Sequence, residues 1–202
     1  MKKWFKRLLA LVMVVIMAIG VVSAPTIKSG YNLYKEVVQK KPIEEKVNEI
    51  MSDEGYTALD DISSVFIEKL LESEDRRFYK HFAIDPIALT RAVVVNITQG
   101  KYSQGGSTIT QQLAKNMYFS FEKRMERKVA EIFVAFQLER MYSKDEILSM
   151  YCALAYFGNN QYGIKRASTY YYGVFPSELN EEQSVALVKT LKAPSVNNPS
   201  TM

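Results

Sequence analysis

Three stretches of this sequence hold side chains whose types and spacing could do chemistry. The first is Glu74-Asp75-Arg76-Arg77-Phe78-Tyr79-Lys80-His81. Two acids followed by two bases, at the end of an apolar helix, have two readings. One is a solvated helix terminus. The other is a cleft in which Glu74 is a base and Arg76 or Arg77 sets its charge state. His81, the only histidine, reads either as a hydrogen-bonded structural group or as a catalyst. The second stretch runs from Gly105-Gly106-Ser107-Thr108 through Gln111-Gln112 to Lys115-Asn116. Two glycines let a backbone approach a ligand closely. A helix that starts at once turns its N–H groups and positive dipole end toward that ligand. Ser107, Thr108 and Gln111 add hydroxyl and amide partners, and Lys115 lies one turn beyond Gln111. This is a cradle for phosphate or pyrophosphate, or else an ordinary capped helix after a glycine turn. It matches neither the dinucleotide nor the Walker pattern. The third stretch runs from Arg127-Lys128 through Glu131 to Glu139. Glu131 shares a helix face with Lys128, three residues away, and with Arg127, four away. These are surface ion pairs worth at most about 0.5 kcal/mol, or a face turned into a cleft, where the cations hold an anion and Glu131 is a second carboxylate.

Positioning these groups falls to a chain with a mainly α pattern. Ile62 to Ser73 carries Val65, Phe66, Ile67, Leu70 and Leu71 at helical spacing. Asp85-Pro86 reads as an N-cap with Pro at the first helical position, opening a helix through Ile87, Leu89 and Ala92 to Val95. Lys101 to Gly106 reads as a loop. Thr108 with Gln111, Ser143 with Glu146 and Asn180 with Gln183 are capping boxes. Glu122 to Tyr142 is a long amphipathic helix with Met125, Val129, Ile132 and Phe136 on one stripe. Ala167 to Phe175 is ambiguous between helix and strand.

The 202 residues are 48% hydrophobic, 24% charged and 12% aromatic. That suits a globular domain with a core and excludes disordered or fibrous chains. One cysteine, Cys152, excludes an intrachain disulfide framework and a cysteine-based zinc site. Four of the 26 basic residues, Lys2, Lys3, Lys6 and Arg7, lie among the first seven residues, which hold no acid, leaving 22 against 22 acids. The body is thus balanced and no nucleic-acid partner is expected. Leu8 to Ala24 is uncharged and as a helix would be about 26 Å long, the short end of a membrane span. With residues 1–7 basic and cytoplasmic, 8–24 are expected to be a single-pass transmembrane anchor in the cytoplasmic membrane. The rival is a cleaved signal peptide, since Val22-Ser23-Ala24 resembles a cleavage site. Either way the body is extracytoplasmic. Residues 25–60 read as a stalk, and 61–202 as the functional domain.

The three stretches together resemble a known family. Glu74 to His81, followed by Asp85, resembles the first signature of the family 51 glycosyltransferases, the peptidoglycan glycosyltransferases of monofunctional enzymes and bifunctional penicillin-binding proteins. Gly105 to Asn116 resembles the second along its whole length. Arg127, Lys128, Glu131, Ala135 and Glu139 match the third. Lys144, Ile147, Leu148, Tyr151, Phe157-Gly158 and Gly163 resemble the fourth, and Ala193-Pro194-Ser195 with Asn198-Pro199 a stretch that follows. The pattern departs at Ala83, where Gly is usual, and at Ala153, where Asn is usual. The fifth signature, a basic pair before Val-Leu, is not reached by Met202.

The resemblance implies a lysozyme-like, mainly helical domain that polymerises lipid II into glycan strands, inverting the donor sugar to a β-1,4 bond and releasing polyprenyl pyrophosphate. It implies Glu74 as general base and Glu131 as second essential carboxylate, orienting cations or helping to hold a metal. Lys115, Arg127 and Lys128, with Ser107, Thr108, Gln111 and Gln112, would bind substrate. Asp75, Phe78 and His81 would shape the pocket. Mg2+ or Mn2+ held with the substrate pyrophosphate is expected, although no metal cage is self-evident; no organic cofactor is expected. The implied partners are lipid II, the lipid-linked glycan strand, the membrane and other cell-wall synthesis proteins. Ile84 to Val95 is membrane-facing in this reading, or else a core helix. Two rivals stand beside it. One is a catalytically weak, membrane-anchored scaffold for cell-wall partners. The other is a lytic muramidase-type enzyme, which the cationic face argues against because a neutral polymer does not need it.

Overall fold

The computed structural model describes residues 23–100, 105–119 and 124–201. Most of the expected membrane span, residues 8–22, lies outside the described residues. So do 101–104 of the expected loop and 122–123 at the start of the long helix. No helix among the described residues is long and apolar enough to cross a membrane. The described residues hold no β-strand, only an antiparallel bridge between Tyr156 and Tyr162. The mainly α expectation stands.

The helices are α1 (residues 23–40), α2 (Ile43–Ser52), α3 (Ser64–Glu74), α4 (Pro86–Gln99) and α5 (Ile109–Tyr118). They continue with α6 (Met125–Met141), α7 (Lys144–Leu154), α8 (Ile164–Tyr172) and α9 (Glu181–Lys192). Helix α7 lies at the centre. Its residues Ile147 through Cys152 are all buried, as expected of a helix enclosed on every side. Helices α2, α5, α6 and α8 pack around it, and α3 runs along α9. Leu113, Ile109, Leu138, Ile147 and Leu148 are fully buried in one shared core, each contributing roughly 1.5–3 kcal/mol of burial free energy.

The expected starts are in place. Thr108–Gln111, Ser143–Glu146 and Asn180–Gln183 all form reciprocal capping boxes. Asp85 caps α4 by accepting from the Ile87 and Ala88 N–H groups, with Pro86 at the first position. The ambiguous stretch resolves as α8, which buries Ile164, Ala167 and Ser168 at helical spacing and stops at Gly173, in a left-handed conformation.

Two expectations are corrected, and of the two readings left open for α4 the core helix falls. Residues 25–60 are not merely a stalk: α2 buries Ile43, Val47 and Ile50 in the main core, so its apolar stripe is a packing face. The packing stripe of α6 is Ala130, Val134, Ala135 and Leu138, not the expected one; Met125 is 70% exposed. That stripe includes the small Ala130 and Ala135 on a helix that packs along α5, whereas the bulkier Phe136 meets Phe82 at 5.7 Å. Helix α4 is not a core helix. It buries only Ala92 and exposes Ile87, Leu89, Val93, Val94 and Ile97.

Gly158 joins the end of the α7 region to the C-terminal stretch. Its φ is +80°, and a Cβ there would lie 2.4 Å from the Pro194 carbonyl oxygen. Gly158→Ala is therefore expected to lower the unfolding free energy by about 1–3 kcal/mol, read as a shifted midpoint in urea denaturation with unchanged slope.

Candidate active site

The site begins at the end of α3. Glu74 is the last helical residue, and Asp75 follows with φ −157°, so the chain leaves the helix and the two carboxylates part. Asp75 turns inward. Its buried carboxylate accepts from the Ile109 N–H at 3.0 Å and from His81 Nε2 at 2.9 Å. Ile109 is the first residue of α5, so one side chain ties the end of α3 to the start of a helix 34 residues on. His81 Nδ1 meets the Phe82 carbonyl. Both ring nitrogens thus face acceptors, which only the imidazolium can satisfy. Burial works against that charge, but the Asp75 carboxylate and the Phe82 carbonyl outweigh it, and the His81 pKa is raised.

Glu74 remains half-buried at the cavity wall. One carboxylate oxygen accepts from the Gln112 side-chain amide at 3.2 Å and the other from the Ser73 hydroxyl at 3.2 Å. The Tyr151 hydroxyl donates to the Gln112 carbonyl oxygen at 3.3 Å, which turns the amide nitrogen toward Glu74. Burial, and after it the charge of Glu74, holds the Tyr151 pKa well above its ordinary value, so this hydroxyl stays a donor.

The cavity, about 780 Å3 in volume, is bounded by the ends of α3 and α9, the N-terminal half of α4, the 105–108 segment, and cation-bearing turns of α5 and α6. Lys128 Nζ donates to the Ser107 hydroxyl at 2.7 Å and to Glu131 at 2.8 Å. Arg127 pairs with the other Glu131 oxygen at 3.0 Å. Burial lowers the Lys115 pKa; Glu131 opposes this, while Arg127 and Lys128 add to it. Such a clustered cation bank is a site where an incoming dianion relieves repulsion.

Of the site residues expected from the sequence, Glu74, Asp75, Ser107, Thr108, Gln112, Lys115, Arg127 and Lys128 line the cavity; Phe78, His81, Gln111 and Glu131 do not. Phe78 is a core residue with the Lys144 ammonium 4.4 Å from its ring centre. Gln111 is spent on the capping box. Glu131 is 1% exposed and sits behind the cations it pairs with. The helix start differs too: Asp75 takes the Ile109 N–H, and Thr108 and Gln111 satisfy each other's. The anion-binding capacity therefore rests on side chains rather than on these N–H groups. Gly106 makes its close approach to α4, where a Cβ would lie 3.2 Å from the Leu89 Cα.

Sequence reading missed Arg91 on α4 and Lys192 at the end of α9, which also line the cavity. Lys192 immediately precedes Ala193-Pro194-Ser195, so its place beside a family-like stretch was the available signal; for Arg91 only its place on the polar side of α4 pointed inward.

A protein-held metal does not fit the donors. Among the described residues, Asp75, His81 and Asp85 are close enough to share an ion. Yet Asp75 already serves Ile109 and His81, and Asp85 serves Ile87, Ala88 and Arg77, the last at 3.0 Å. Glu131 is committed to Arg127 and Lys128.

The raised His81 pKa fixes the sign of a pH effect. The His81 contribution to stability is complete below about pH 6.5, the ordinary histidine value, and is lost as pH rises through the higher folded-state value. Urea denaturation of wild type and His81→Gln should show the larger gap at pH 6 and a smaller one at pH 9.

The chain is similar in sequence to known proteins. A family model described as transglycosylase matches residues 39–202. The chain is 40% identical over 144 residues to penicillin-binding protein 1A of Aquifex aeolicus (strain VF5), covering 71% of this chain and 20% of that protein. It is 43% identical over 145 residues to penicillin-binding protein 1A/1B of Bacillus subtilis (strain 168), covering 71% and 16%. It is 45% identical over 144 residues to penicillin-binding protein 2a of Streptococcus pneumoniae serotype 2 (strain D39 / NCTC 7466), covering 71% and 19%. The chain thus spans a fifth or less of the length of these curated relatives. Every cavity-lining segment falls inside the matched residues, and the chain belongs to the transglycosylase family, the family 51 glycosyltransferases.

Proposed function

We propose that the protein polymerises lipid II into peptidoglycan glycan strands, with Glu74 as general base. The observation that carries this reading is the pairing of one cavity carboxylate with a bank of cations. Glu74 accepts from Gln112, and Lys115 lies three residues beyond Gln112 on the same helix face. An acceptor hydroxyl attacking an anomeric carbon that bears a diphosphate needs a base and cations within one cavity, and Glu74, Lys115, Arg127 and Lys128 line the same one.

In this reading the 4-hydroxyl of the acceptor sugar lies against Glu74. Glu74 takes its proton as the oxygen attacks the donor anomeric carbon from the face opposite the diphosphate. The carbon–oxygen bond to the diphosphate breaks, and configuration inverts to a β-1,4 bond. Lys115, Arg127 and Lys128 receive the departing charge, already oriented before it develops. Glu131 acts through those two α6 cations, as a positioning residue rather than a reacting one. A divalent ion, if used, is Mg2+ or Mn2+ brought on the substrate diphosphate, and it would add neutralising charge there.

Residues 8–24 anchor the chain in the cytoplasmic membrane in this proposal, with 1–7 inside and the body outside. The apolar residues that α4 exposes, Ile97 at 75% among them, suit contact with the lipid surface from which the polyprenyl tails emerge. Cell-wall synthesis proteins are the natural further partners. A lytic muramidase needs a second carboxylate at the scissile bond; Glu131, enclosed by its cations, is unsuited to that role.

The test is purified full chain with labelled lipid II, with and without divalent metal. Polymer should form, and Glu74→Gln should slow it by about 10²–10⁴-fold, the usual worth of a general base, while leaving the melting temperature unchanged. Binding without polymer under any condition would favour the scaffold, and shortening of preformed glycan would favour lysis; either result overturns the proposal.

A further inference from the structure

Gly30 is the only buried residue between 23 and 40. A Cβ placed on it would lie 2.5 Å from the Val129 Cβ and 2.7 Å from the Glu126 carbonyl oxygen. Any side chain there forces α1 and α6 apart, so glycine is what lets these two backbones touch. Aromatic rings close the seam beyond that point. Tyr31 meets Phe133 edge-on at 5.1 Å, and Tyr34 stacks on it at 5.5 Å. At its far end α1 is fastened again, because the Tyr118 hydroxyl of α5 donates to the Lys41 carbonyl at 2.9 Å. Thus α1 is fixed to the two helices that carry Lys115, Arg127 and Lys128.

The faces of α6 give this attachment a direction. At about 100° per residue, Glu126, Val129 and Phe133 lie on one side of the helix. Arg127, Lys128 and Glu131 lie roughly opposite. One side of α6 receives α1, and the other presents cations to the cavity. The expected membrane anchor ends at Ala24, six residues before Gly30.

We propose that the Gly30 seam is a positioning device that sets the height and tilt of the cationic face of α6 relative to the membrane. The inference rests on the reading of 8–24 as an anchor and of the substrate as lipid-linked. A diphosphate at the end of a polyprenyl tail is confined to the lipid surface. A loosely tethered domain would meet it in many orientations, whereas a docked α1 presents the cations at one height, and small misplacements at a reacting centre are costly. Gly30, Tyr31, Tyr34 and Phe133 are then positioning residues that touch no substrate.

The experiment uses full-length protein in liposomes, as wild type, Gly30→Leu and the milder Phe133→Ala. A dye on Ser177→Cys, an exposed site, reports energy transfer to an acceptor in the lipid headgroups; Cys152 is buried and does not compete for the label. Both variants should change the transfer efficiency. Both should slow polymerisation of membrane-embedded lipid II, Gly30→Leu by at least about tenfold. Turnover of a water-soluble short-chain lipid II analogue, and binding of inorganic pyrophosphate, should stay at the wild-type level. Unchanged energy transfer overturns the proposal, as does an equal loss on the soluble analogue, which marks a general fold defect. Should wild type make no polymer, the functional reading fails by itself, and the energy-transfer arm still decides the seam.

Discussion

The site depends on the carboxylate of Asp75. It joins the end of α3 to the first N–H of α5 and holds His81 against the same point. Because Glu74 is its neighbour in the chain and Gln112 is one turn into α5, this single link sets Glu74 against Gln112. The loop that closes behind it is locked as well: the Thr108 hydroxyl donates to the Ala83 carbonyl at 2.8 Å. Ala83 is fully buried there, so the methyl group it carries in place of the usual Gly is accommodated within the packing. A buried carboxylate with all its neighbours donating is a rigid anchor, whereas one left without partners would cost several kcal/mol.

A second constraint is electrostatic. Three cations crowd one wall of the cavity, and Glu131 lies buried behind two of them. Removing one partner of an enclosed pair leaves an uncompensated charge, which is far costlier than losing a surface pair. The ion pairs of α6 are therefore not the weak solvent-exposed contacts that their spacing alone allowed. Glu139 repeats the logic lower on the same helix, accepting from Thr110 and Lys144, both at 2.6 Å. These acids fix the rotamers of their neighbours and so the register of α5, α6 and the start of α7.

Much of this was legible in the sequence because it is local. Caps, helix spacing and the clustering of Arg127, Lys128 and Glu131 are matters of three or four residues. Glu74 and the cations of the second and third stretches were identified, and they share the cavity. What sequence spacing could not show is long-range. Asp75 capping a helix 34 residues away, Gln111 being consumed by its own cap, and α2 closing the core all depend on tertiary packing. The same is true of α6, where two apolar positions at the expected period, Val129 and Phe136, serve α1 and Phe82 rather than the core. Arg91 and Lys192 converge from helices almost a hundred residues apart, which no periodicity announces.

Helix α4 forms one wall of the cavity yet contributes a single buried side chain, Ala92. Local opening costs least where few apolar groups are lost to water, so α4 is the wall that yields first, with Asp85 and Gly100 marking its two ends. In the proposed polymerisation, a lengthening product would need one flank of its enclosure to give way while Glu74 and the cations stay still. The division between a firm, charge-locked side on α5 and α6 and a thinly packed, greasy side on α4 provides that asymmetry.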